Sequence, residues 1–277
     1  MENLRAWLKS RKKAFGSSKA RDFGLAEPKG AMLCGVPGAG KSLVAKTIAK
    51  QWGLPLLRLD PGKLFGSLVG QSESQTRLAI EAAEACAPCV LWIDEIEKGF
   101  GNSGSMDGGT TSRVFGTLLT WMNDKTAPVF VIATANRPHI LPAELIRKGR
   151  FDEIWFIGLP DVYERREIIS IHLARRKRTL TESEIGGIAE ATDGFSGAEI
   201  EQAIIEALFT AFDEGERVVT MQDVIDAAQA TQPLSKTAAP DIEAINAWAK
   251  GKARPASGAE KKKPAGRYRG TKAEKNN

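Results

Sequence analysis

The chain has 277 residues, 42% of them apolar, which is enough for one α/β domain and a smaller helical one. No run of about 18 apolar residues occurs, which excludes a membrane-spanning helix, and the basic N-terminus lacks the apolar core of a secretory signal. Three cysteines and two histidines exclude a disulfide scaffold and a zinc set, and this usage points to a reducing compartment. The net charge of +5 is concentrated in the tail: from Lys250 onward there are ten Lys or Arg against two Glu, so the rest of the chain carries −3.

Leu4, Trp7, Leu8 and Phe15 recur near helical spacing, predicting a helix over roughly 2–15 that packs on the body of the protein. With its linker it forms a basic segment, 1–24. An α/β domain over 25–158 begins with the apolar strand Ala31-Met32-Leu33-Cys34. The next residues, Gly35-Val36-Pro37-Gly38-Ala39-Gly40-Lys41-Ser42, read G-x-x-x-x-G-K-S, and Leu43, Val44, Ile48 and Ala49 then follow a helical period. Strand, glycine loop and helix in this order make a phosphate cradle. Glycines let the backbone N–H groups turn inward, and the helix opening at Gly40 adds its positive end. Residues Gly35 to Ser42, with Leu43, are therefore the candidate nucleotide contacts. Lys41 would reach the terminal phosphates and the Ser42 hydroxyl would ligate Mg²⁺.

Further strands are predicted near 56–59, 89–93, 129–134 and 153–157, alternating with helices. The predicted fold is thus a phosphate-loop α/β domain with a five-stranded parallel sheet. Cys86-Ala87-Pro88-Cys89 lies between a helix end and a buried strand, not ahead of a thioredoxin-type helix, so it does not read as a redox pair. Val90-Leu91-Trp92-Ile93 ends in Asp94-Glu95. A strand beside the loop strand that ends in two acids suits a carboxylate on Mg²⁺, Asp94, and a general base for water, Glu95. Gly99–Gly109 is a Gly/Ser-rich loop. Leu159-Pro160-Asp161 breaks the pattern, and helical periodicity then dominates to about 230 in a small all-helical lid, 159–235. Its helices are predicted at Val162–Arg176, Glu182–Ala191, Ser196–Phe212 and Met221–Ala230, the last capped by Thr220 and Asp223. The remainder, 236–277, reads as a basic, disordered tail.

Two further stretches carry a family resemblance. Asn136 ends the strand Val129–Thr134, and Leu145-Ile146-Arg147-Lys148-Gly149-Arg150-Phe151-Asp152 follows. With these, the chain resembles the AAA group of the AAA+ ATPases over about residues 3–232. The resemblance implies that Asn136 is a sensor that helps to position the lytic water. It implies that Arg147 and Arg150 act as arginine fingers on ATP in a neighbouring subunit of a homo-oligomeric ring, six subunits in the usual case. Gly194-Phe195-Ser196-Gly197-Ala198-Glu199 looks like the second-sensor motif, which puts Gly197 and Ala198 beside the nucleotide. The family's pore-loop residues match Leu68-Val69-Gly70, with Leu68 in the place of a gripping aromatic and Phe65 just before it.

Leu56-Leu57-Arg58-Leu59-Asp60 and Ala87-Pro88-Cys89-Val90-Leu91-Trp92 are similar to the hypothetical chloroplast reading frame AAA proteins of cyanobacteria and algal plastids. That resemblance implies a cytoplasmic or plastid-stromal protein. Three readings follow: a Mg-ATP-driven remodeller of protein clients, a regulatory ATP-binding module with slow turnover, and a nucleic-acid-coupled ATPase that uses the basic tail. The charge pattern favours the last least, since a solubilising tail explains it as well.

Overall fold

The computed structural model describes residues 1–62, 71–100, 108–147 and 149–258. Helix α1 (Glu2–Ala14) buries Leu4, Trp7 and Leu8, and the short α2 (Ser18–Asp22) follows it. Strand β1 (Gly30–Gly35) is buried along its whole length and leads through the glycine loop into α3 (Lys41–Trp52). The alternation continues through β2 (Leu56–Leu59), α4 (Gln71–Ala85), β3 (Cys89–Ile93), α5 (Gly108–Asp124), β4 (Val129–Ala135), α6 (Ala143–Ile146) and β5 (Glu153–Ile157).

Every pairing in the sheet is parallel. Because side chains alternate along a strand, each strand feeds two cores. Met32 and Cys34 of β1 join one, and Ala31 and Leu33 join the other. On the second face, Trp7 of α1 packs 5.8 Å from Trp155 and 6.4 Å from Phe130, ring centre to ring centre. The first helix is thus part of the domain's core, held by large aromatic surfaces that contribute about 1.5–3 kcal/mol per fully buried side chain.

Beyond β5 the lid is built from α7 (Val162–Arg175), α8 (Glu182–Ala191), α9 (Gly197–Asp213) and α10 (Met221–Gln229), around a third core that includes Ile169, Ile188, Ile200, Ile204 and Val224. Short polar residues set where these helices begin. Asp161 accepts from the Glu164 N–H at the start of α7, and Thr181, Ser196 and Thr220 form reciprocal capping boxes with Glu184, Glu199 and Asp223. Each such cap stabilises its helix by about 1 kcal/mol.

Two expectations change after the lid. The sequence predicts five strands and a disordered segment from 236 onward; the sheet has six strands, in the order β2-β3-β4-β1-β5-β6. The chain continues through α11 (Leu234–Thr237) into α12 (Ala239–Ala249), which buries Ile242, Ile245, Trp248 and Ala249, and then into β6 (Arg254–Pro255). Phe156 accepts from the Ala256 N–H at 2.9 Å, and Ala256 in turn accepts from the Leu4 N–H at 3.2 Å. The physical reason is local: four apolar residues at helical spacing outweigh the basic average of the surrounding segment. A proline on β6 costs nothing, since an edge strand need not donate on its outer side.

Candidate functional site

The carboxyl ends of β1, β3 and β4 converge with the start of the lid on a cleft of about 1660 Å³. Ligands of open parallel sheets bind at such strand ends. The glycine loop that forms its floor is sterically specified. A Cβ on Gly35, where φ is +147°, would lie 1.9 Å from the Ile157 carbonyl oxygen, and one on Gly38, at φ +75°, would lie 2.7 Å from Ser196 Oγ. Only glycine fits either place. The loop also meets the lid here, because the Ala198 N–H donates to the Gly38 carbonyl at 3.1 Å. Gly197 and Ala198, 160 positions away in sequence, are thereby brought onto the predicted phosphate loop.

Lys41 is buried, and its Nζ donates to the carbonyls of Gly35 at 2.9 Å and Val36 at 2.8 Å. Burial pulls its pKa down to about 8, although the nearby Glu97, Cys34, Glu95 and Asp94 oppose the shift. Ser42 Oγ lies 3.5 Å from Asp94 Oδ1. Thr134, an apolar strand's polar exception, donates to Asp94 Oδ1 at 3.0 Å and accepts from the Glu95 N–H at 2.9 Å. Glu95 has φ 51°, in the left-handed region that a residue other than glycine seldom adopts. Asn136 Nδ2 donates to Glu95 Oε1 at 2.7 Å. Glu97, almost wholly buried, accepts from the Asn136 N–H at 2.8 Å, and its second oxygen is buried without a hydrogen-bond partner among the described residues.

The candidate residues of β1, β3, β4 and the lid therefore form one constellation, and the two arginines do not join it. Arg147 ends α6 and Arg150 precedes β5; neither lines the cleft. One Arg150 guanidinium nitrogen is buried without a hydrogen-bond partner among the described residues. Leu68, Val69, Gly70 and Phe65 lie outside the described residues, as does most of the Gly99–Gly109 loop.

Sequence reasoning missed Thr134, Glu97, and two cations on the carboxylates. Arg58 of β2 sits 2.7 Å from Asp94 Oδ2, and Lys98 pairs with Glu95 Oε2. A polar residue inside the apolar run of β4 was the available signal for Thr134. It also missed the cleft wall, to which Leu4, Leu8, Ile168 and His172 contribute. His172 Nδ1 is 3.1 Å from Glu201 Oε1; burial lowers its pKa while Glu201 opposes the change.

The donors fit a hard cation held with a nucleotide. Mg²⁺ takes oxygen ligands, and one or two protein oxygens beside substrate phosphates suffice; Ser42 Oγ and Asp94 Oδ1 provide that pair. Fold and site together define a phosphate-loop nucleotide hydrolase. The family described as "ATPase family associated with various cellular activities (AAA)" matches residues 31–159, and the AAA+ lid domain matches 182–226. The chain belongs to the AAA family of ATPases, which use ATP with Mg²⁺.

It is 52% identical over 257 residues to an uncharacterized AAA domain-containing protein ycf46 of Gracilaria tenuistipitata var. liui, covering 92% of this chain and 52% of the relative. It is 36% identical over 215 residues to the ATP-dependent zinc metalloprotease FtsH of Aquifex aeolicus, covering 76% of this chain and 34% of that protein. The crystal structure of the FIGL-1 AAA domain superposes with a TM-score of 0.75 at 26% identity, covering 92% of this chain and 88% of that one. The chain spans about half the length of the ycf46 relatives it matches. No helix among the described residues is long and apolar enough to cross a membrane.

Proposed function

We propose that this chain hydrolyses Mg-ATP in a ring of identical subunits, six by resemblance to its family, and uses the cycle to remodel a protein client. In this reading the loop Gly35–Leu43 and the lid residues Gly197 and Ala198 hold the nucleotide, and the apolar cleft wall receives its base. Ser42 and Asp94 hold Mg²⁺, which supplies charge neutralisation at the phosphates. Asn136 orients Glu95, and Glu95 takes the proton of the attacking water. Arg147 and Arg150 complete the site of a neighbour.

One observation carries the proposal. Pro37 to Leu43, Asp94, Glu95, Asn136, Gly197 and Ala198 all line the chain's own cleft, while Arg147 and Arg150 do not. Arginines that stand outside the chain's own cleft suit completion of a neighbour's site in trans. Specific ATPase activity should therefore rise with protein concentration, over the range in which sedimentation shows assembly. Constant specific activity across that range would exclude a shared site.

Clients are to be captured on a Glu95→Gln ring held in ATP. The slow-turnover regulatory reading is favoured by a separate feature, the cations on both carboxylates. A nucleic-acid partner for the tail is favoured by its charge alone.

A further inference from the structure

Both carboxylates at the end of β3 are shared in the same way. Asp94 Oδ1 is held by Thr134, with Ser42 at 3.5 Å, while its Oδ2 takes the Arg58 guanidinium at 2.7 Å. Glu95 Oε1 is held by Asn136, while its Oε2 takes the Lys98 ammonium. One oxygen of each acid is thus fixed to a strand or loop of the domain, and the other is paired with a cation. Those cations are not trapped: the Arg58 and Lys98 side chains are 56% and 54% exposed. Arg58 lies against the Trp92 ring at 4.9 Å, a surface on which it can remain after leaving Asp94. Lys98 stands one turn beyond Glu95 in the 3₁₀ segment Ile96–Phe100, and among the described residues its ammonium is paired with Glu95.

We propose that Arg58 and Lys98 are positioning residues that restrain hydrolysis, Arg58 by competing with Mg²⁺ for Asp94 and Lys98 by withholding Glu95 Oε2 from the attacking water. An oxygen already paired with an ammonium is not free to accept the proton of an attacking water. A positive group on Asp94 also repels a divalent cation approaching the same oxygens. This inference rests on the assignment of Asp94 and Glu95 given above.

The test uses the full chain. Lys98→Ala should raise kcat roughly two- to fivefold, the range of a half-exposed ion pair, without changing the Kd for ATP. Lys98→Arg keeps the cation and should turn over like the parent. In a Glu95→Gln background, Lys98→Ala should gain nothing, because no carboxylate remains to be released. Arg58→Ala is read by binding alone, with a fluorescent ATP analogue in the Glu95→Gln background. The Mg²⁺ concentration for half-maximal binding should fall by a similar factor, and binding in EDTA should not move.

Both side chains are exposed, and thermal melts of the variants are to check that they fold. A Lys98→Ala enzyme that is slower than the parent, or an Arg58→Ala protein with an unmoved Mg²⁺ midpoint, overturns the proposal. If instead Glu95→Gln itself hydrolyses ATP at the parent rate, it is the assignment of the base that fails. That outcome is distinct from an inactive Glu95→Gln protein accompanied by no gain from Lys98→Ala.

Discussion

The two ends of the parallel sheet each bury a lysine, and the lysines differ in what they are given. At the carboxyl end, Lys41 donates to two loop carbonyls and faces Glu97, Glu95 and Asp94. At the amino end, Lys125 follows α5, and its ammonium is buried without a hydrogen-bond partner among the described residues. Burial pulls both down to about 8. The cost of burial is therefore alike, and the return is not. At the carboxyl end two carbonyls hold the desolvated cation in the cleft; at the amino end the charges of Asp152 and Glu27 oppose the cost, with no hydrogen bond to the ammonium among the described residues. The arginines 147 and 150 also fall outside the carboxyl-end cleft, which in the proposed ring would separate what one subunit can do from what needs a second.

The sharpest way to break this division is Arg150→Ala. If the arginines serve only a neighbour, the variant should bind ATP normally and lose roughly 10³-fold or more in turnover, the scale of a trans arginine in related phosphoryl transfers. Mixing it with Lys41→Ala, which should no longer bind Mg-ATP tightly, should restore part of the activity. In mixed rings an intact Lys41 site can face an intact Arg150. Absence of recovery in rings shown to be mixed would place Arg150 in its own subunit's chemistry.

Next in size is Glu95→Gln. Glutamine keeps the Asn136 contact within reach but has no basic oxygen, so binding should persist while turnover falls roughly 10²-fold or more. Equal turnover in variant and parent would move the catalytic base elsewhere among the carboxyl-end acids.

The lysine comparison gives the third test. Lys125→Met replaces a buried ammonium, without a hydrogen-bond partner among the described residues, by an apolar chain of similar length, and should stabilise the fold at pH 7 by roughly 1–3 kcal/mol. The sign with pH follows from the depressed value of about 8. Below pH 8 both folded and unfolded lysine are protonated and the full penalty is present. Between 8 and about 10.5 the unfolded chain holds the proton that the folded one has lost, so stability rises with pH. The parent should show this rise from both Lys41 and Lys125, and the variant only the share of Lys41. Urea melts at pH 7 and pH 9.5 measure it. A destabilised Lys125→Met protein would mean that Asp152 and Glu27 compensate the ammonium after all.

What could be read from the sequence follows the same division. The phosphate loop is contiguous, and its glycines are demanded by atoms a few ångströms away, so Gly35 to Ser42 announce themselves. Asp94, Glu95 and Asn136 sit at ends of apolar runs, where a change of residue type marks the strand's end. Arg58 and Lys98 left no such mark, because their meaning depends on which carboxylate the register of β2 on β3 and a 3₁₀ turn bring near. The buried second oxygen of Glu97 was equally invisible, since a lone acid in a short helix usually faces water. The tail was misread for a different reason: its charge was averaged over a stretch that mixes Ile242, Ile245 and Trp248 with the lysines beyond.

That misreading sets the smallest prediction. A cut after Lys250 removes Arg254 and Pro255 from the edge of β5, the Ala256 bond to Phe156, the Ala256 acceptor for Leu4 and the ion pair of Arg254 with Glu153. A cut after Gly258 removes none of them. Two backbone hydrogen bonds at Ala256 and one buried alanine carry most of the loss, each net bond contributing about 1 kcal/mol, while the exposed or half-exposed side-chain contacts of Asn3, Arg254 and Ser257 add less, so the shorter protein should be about 1–2 kcal/mol less stable. The longer one should match the parent. Because α1 hangs on the same edge through Leu4, the loss should be accompanied by faster amide exchange in α1 and little change in the lid. If the two truncations melt alike and α1 exchanges no faster in the shorter one, β6 only decorates the sheet, and α1 is held by its own aromatic contacts with Phe130 and Trp155.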